Sequence, residues 1–135
     1  MILIMFIAGY LSTMNVFAVD INHVRFHLND LYMVLLMIGW MILLTAIFNH
    51  NLTHNANTIM IFSILFIAFV LYLIRTQTFI DDKQFLNGMI THHSMALLMA
   101  QKIKEKTKNP QVKQLANNII KSQSEEIQLM DNLLK

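Results

Sequence analysis

Residues 81–106 read DDKQFLNGMITHHSMALLMAQKIKEK, and this stretch decides the architecture. Phe85, Met89, His92, Ala96, Met99 and Ile103 recur at 4-3-4-3-4 spacing, which is one stripe of an amphipathic helix. Asp81 and Asp82 suit the positive N-terminal end of such a helix, and Lys102, Lys104, Lys106 and Lys108 suit its C-terminal end. Asn109-Pro110 then supplies a cap and a first-turn proline for a second helix, with the stripe Val112, Ala116, Ile119, Gln123, Ile127, Met130 and Leu134. Two amphipathic helices bury one side each, so a closed core needs two more helices, and a second copy of the chain is the simplest source. The expectation is a homodimer whose paired hairpins form a four-helix bundle.

Upstream of the hairpin the solvent changes. The chain has 135 residues, 56% hydrophobic and 13% charged, about half the charge of an ordinary soluble domain. Most of that charge lies after Arg75: the first 75 residues carry only Arg25, Arg75, Asp20 and Asp30. Three uncharged apolar runs in this part approach the roughly 20 residues that cross a bilayer, and they are apolar all round rather than on one face. The reading is all-α: a region 1–75 with three transmembrane helices at about 1–19, 30–48 and 58–75, then a helical-hairpin domain over 81–135. The first run lacks the basic start of a signal peptide and is read as retained. Arg25, Arg75 and Lys83 share one side in this topology, a slight positive-inside bias that makes the hairpin cytoplasmic. Asn51-Leu52-Thr53 fits a glycosylation sequon, a triplet that often arises by chance.

Absent cysteine excludes disulfides, thiolate zinc sites and iron–sulfur clusters, so any soft-metal site must use His and Met. There are 6 His and 11 Met. At about 100° per residue His92 falls within the stripe of the first hairpin helix and His93 at its edge, while Glu126 also turns inward. Buried imidazole and carboxylate are costly unless paired or bound to a cation. The plain alternative is a Glu126–His92 or Gln123–His92 hydrogen bond that fixes helix register. The functional alternative is a metal site with imidazole from His92 or His93, thioethers from Met89, Met99 or Met130, and Glu126 as ligand or orienting partner. That donor set favours copper, Cu(I) above all. His23/His27 and His50/His54 stand at i, i+4, so each pair could chelate an ion if helical, with Asp30 one turn beyond His27.

These residues resemble a known family, the ferritin-like, His-His-containing domain of unknown function 305, which has membrane-anchored members and some members associated with copper. The family pattern is met by Asp82, Phe85, Met89, His92-His93, Ala96 and Met99-Ala100, then Gln123, Glu126-Ile127 and Met130. Thr91 departs from it, since many members carry Pro there. The resemblance implies a helical metal-binding module, with His92, His93, Met89, Met99, Glu126 and Met130 as the positions carried over, and it implies no enzyme.

The leading expectation is therefore a multi-pass membrane protein whose extramembrane hairpin binds copper for tolerance, storage or delivery. The rival is a structural or assembly protein of a membrane, in which the hairpin only mediates oligomerisation. No phosphate-binding loop, nucleophile elbow or His-Glu-x-x-His sequence supports an enzyme. A formal charge of +2 without aromatic-basic interleaving gives no reason to expect nucleic acid.

Overall fold

The structure, a computed structural model, describes residues 2–52 and 54–135. Helices α1 (Ile2–Leu11), α2 (Leu28–Phe48), α3 (Ala56–Thr76), α4 (Asp82–Lys106) and α5 (Pro110–Leu133) follow one another, and no strand occurs among the described residues. They form two compact units. The first takes the N-terminal residues through Thr13 together with Leu28–Phe79; the second takes Met14–His27 and Ile80–Lys135. The segment 14–27 thus belongs with the hairpin, although it precedes α2 in the chain.

In the first unit α2 and α3 run as an antiparallel pair, and α1 packs on α2. Tyr32, Val34, Ile38, Ile67 and Val70 are buried. Gly39 sets the closeness of the pair, because a Cβ there would come within 2.9 Å of Ile67 Cγ1. Polar bonds join the start of α2 to the end of α3: Tyr32 Oη donates to the Thr78 carbonyl, and the amides of Asn29 and Gln77 exchange bonds of 3.2 and 3.1 Å. Gln77 closes α3 in the left-handed region at φ 49°, its N–H returning to the last-turn carbonyls.

Among the described residues two helices, α2 and α3, are long and apolar enough to cross a bilayer, not three. The first run does not continue to residue 19. It stops at Leu11 as a 10-residue helix, which rises roughly 15 Å against a hydrocarbon core of about 30 Å. Side chains end it: Ser12 Oγ bonds the Ala8 carbonyl and Thr13 Oγ1 the Tyr10 carbonyl, occupying groups a longer helix would use. The sequon reading falls in part on Thr53, which lies outside the described residues.

In the second unit α4 starts at an Asp81 cap whose carboxylate accepts the Gln84 N–H at 2.7 Å. It ends at Thr107, and Asn109 caps α5 by accepting from Gln111 N–H at 2.9 Å, with Pro110 in the first turn. The cap and the proline stand where the Asn109-Pro110 pair places them. Ile90, Leu97, Ile127 and Met130 form the core between the helices, with Leu86, Met89, Ile120 and Leu134 packed against it.

Candidate metal centre between the hairpin helices

α4 turns a different face to α5 than the one the spacing of Phe85, Met89, His92, Ala96, Met99 and Ile103 suggests. The inner seam is Ile90, His93, Leu97 and Ala100, all buried, while Phe85, Met99 and Ile103 are 53%, 61% and 44% exposed. The reason lies in composition. Apolar and small residues recur on two sides of this helix at the same 3-and-4 rhythm, so periodicity identifies two stripes without saying which meets α5.

His93 is the inward histidine and His92 is exposed. His93 Nδ1 lies 2.7 Å from the Met89 carbonyl one turn earlier. A carbonyl can only accept, so Nδ1 carries the proton and Nε2 points across the seam. There it meets Glu126 Oε2 at 2.6 Å, a close polar contact across the seam. The His93 side chain is 7% exposed and the Glu126 side chain 51%, so the pair joins a dry imidazole to a carboxylate with solvent behind it. The inward turn expected of Glu126 is made by its carboxylate rather than by burial of the whole residue, and its partner is His93, not His92.

Four of the six carried-over positions lie at or beside this contact. His93 and Glu126 make it, Met89 supplies its carbonyl, and the Met89 and Met130 side chains belong to the adjoining core. His92 and Met99 lie on the outer stripe, away from the seam. Among the described residues no three His, Asp or Glu side chains gather into a metal-holding group within one copy of the chain.

His23 and His27 are not a helical i, i+4 pair. Ile21–His23 is a single 3-10 turn capped by Asp20, and Val24 is extended, so the one-turn spacing of a helical pair is not formed. The segment is instead a strap laid along α4. Val19 N–H donates to Ser94 Oγ at 2.8 Å, His23 Nδ1 lies 3.0 Å from the same oxygen, and Thr91 Oγ1 donates to the His23 carbonyl at 3.0 Å. His27 packs its ring over Gly88, where a Cβ would sit 3.4 Å from Nδ1. Asn15 and Arg25 exchange two backbone–amide bonds, and Arg25 pairs with Asp131 of α5 at 2.9 Å. Reading the sequence missed Thr91 and Ser94, both fully buried. Their signal was available: Gly88, Thr91 and Ser94 mark a small, hydrogen-bonding line at spacing three, suited to close approach of another backbone. His50 bonds Asn57 at 2.9 Å in the exposed α2–α3 connection, where His54 is also exposed.

One of the sequence comparisons falls on this hairpin. A family profile for a domain of unknown function (DUF305) matches residues 73–134, from the last turn of α3 to the end of α5. An uncharacterized protein of Acanthamoeba polyphaga mimivirus is 52% identical over 134 residues, covering 99% of this chain and 88% of that protein. No solved structure matches.

Proposed function

Starting from a chain that belongs to one family with the mimivirus protein and carries a DUF305 domain in its hairpin, we propose a membrane-anchored protein whose extramembrane hairpin binds copper for tolerance, storage or delivery. The anchor is the α2–α3 pair. Met33, Trp40, Leu44, Phe62, Leu65 and Phe69 on its outer surface are 44%, 47%, 44%, 66%, 60% and 57% exposed, a coat suited to lipid rather than water. Two crossings bring residues 14–27 and 80–135 out on one side, and those are the segments that fold together. Arg25, Arg75 and Lys83 on that side make it cytoplasmic by the positive-inside rule. α1, at half a span, is an apolar helix packed on α2 within the bilayer.

The observation that carries the copper reading is the orientation of His93. Its Nδ1–H is tied to a carbonyl, which leaves Nε2 as the outward donor, the arrangement that prepares imidazole for a metal. Glu126 faces that nitrogen with solvent behind it, so a cation could bridge the two. The thioethers of Met89 and Met130 line the adjoining core, a soft environment suited to Cu(I). Copper bound there would supply a reversible soft-acid link between the helices, and His93 and Glu126 would hold it. The second reading, a hairpin that only mediates oligomerisation, draws on the 2.6 Å contact itself, which already pairs both groups and locks register.

Anaerobic Cu(I) titration of the purified full chain against a chromophoric chelator separates the readings. The expected result is stoichiometric binding lost in His93→Ala and Glu126→Ala, with thermal stabilisation of about 2.7 kcal/mol at a hundredfold excess of Cu(I) over Kd. A stoichiometry unchanged in His93→Ala overturns the site.

A further inference from the structure

We propose that the centre at His93 and Glu126 is built by two copies of the chain, whose parallel hairpins meet through their outer stripes so that His92 of one copy completes the centre of the other. The ligand rests on the copper reading; the interface does not. In α5, Leu115, Ile119, Ser122, Glu126, Leu129 and Leu133 repeat the 4-3-4-3-4 rhythm of Phe85 to Ile103 in α4. These two lines border one open apolar groove, lined by Ala96, Met99, Ile103, Val112, Leu115 and Ile119 among others.

The two lines together, of which the groove is one part, have the size of an interface. Leu115, Leu129 and Leu133 are 58%, 60% and 65% exposed, beside Phe85, Met99 and Ile103 on α4. Taking roughly 200 Å2 for each large apolar side chain in an unfolded chain, these fractions leave about 700 Å2 open, close to the roughly 800 Å2 that each partner gives to a standard interface. Small residues alternate with large ones along it: Ala96, Ala100 and Ala116 are holes beside the Met99, Ile103, Leu115 and Ile119 knobs. Such a face is complementary to itself, as a two-fold contact requires.

The same face carries the donors that one hairpin leaves apart. His92 stands in the α4 line, and Glu126 stands in the α5 line while its carboxylate reaches back to His93. A second copy laid in the same direction puts its His92 at the height of Glu126, because the two residues lie at corresponding levels of α4 and α5. Anchorage in one bilayer favours that direction, since both hairpins then leave the membrane at their Ile80 ends.

Mixed oligomers test this. Full-length chain in detergent is expected to be dimeric by light scattering at micromolar concentration, and Leu115→Glu, a surface change, to be monomeric with helicity retained and Cu(I) affinity at least tenfold weaker. His92→Ala and His93→Ala chains, each defective alone, are expected to regain one centre per dimer when co-expressed, because His93 of the first then faces His92 of the second. Copper bound at full affinity by a monomer, or mixed dimers that regain nothing while wild type binds, overturns the shared centre and leaves copper binding intact. A dimeric wild type that binds no copper removes the copper reading and the shared centre together.

Discussion

The α2–α3 pair and the α4–α5 hairpin are both antiparallel helix pairs of similar length, yet they solve opposite problems. In α2 and α3 the outer surface is as apolar as the contact, and polar bonds collect where α2 begins and α3 ends, at Asn29, Tyr32, Gln77 and Thr78. In α4 and α5 the contact is apolar, the far sides are charged, and polar atoms enter the interior only where they are answered, as at Thr91, Ser94 and His93. On the membrane reading proposed above, the α2–α3 pair gains nothing from hiding apolar surface and rests on close packing and polar bonds, whereas a pair in water depends on its apolar seam for most of its stability.

That contrast can be broken at its strongest point by truncating the seam. Ile90 is fully buried, so Ile90→Ala is expected to destabilise the hairpin by about 2–5 kcal/mol in chemical denaturation followed by helicity. The matching truncation Leu65→Ala, on the outer surface of α3, is expected to leave the denaturation midpoint nearly unchanged. Equal losses from both would abolish the distinction. Charge reverses the ranking: Leu65→Lys, near the middle of α3, is expected to cost about 2.5–3.5 kcal/mol of membrane insertion, read as the inserted fraction in a translocation assay. An inserted fraction equal to wild type would count against a bilayer-spanning α3. A smaller effect than the Ile90 truncation sharpens the hairpin side. Asn109→Ala removes the cap of α5 and is expected to lower hairpin stability by about 1 kcal/mol, while leaving Cu(I) stoichiometry at the wild-type value.

The Asp81 cap, the Asn109-Pro110 junction and the stripe containing Ala116, Ile127 and Met130 were legible because each depends on neighbours within a turn or two. The identity of the inner histidine was not. His92 and His93 are adjacent, α4 is apolar on two sides, and the choice falls to the third side, where the strap takes Gly88, Thr91 and Ser94 and so rotates His93 toward α5. The strap itself was illegible for a related reason. His23 and His27 have helical spacing, but Asp20, Asn15 and Arg25 spend their polar groups on turns and on distant partners, and the segment forms only short 3-10 turns, never an α-helix.

Composition and periodicity alone therefore settle that the regular structure of the described residues is helical, apolar in the first half of the chain and amphipathic in the second, because these properties follow from each residue's own solvation and its contacts within a turn. Which stripe of α4 is inside, where α1 stops and which imidazole meets Glu126 are decided by segments far apart in the chain. Those choices turn on competition between distant partners for the same face, and local spacing carries no information about that competition.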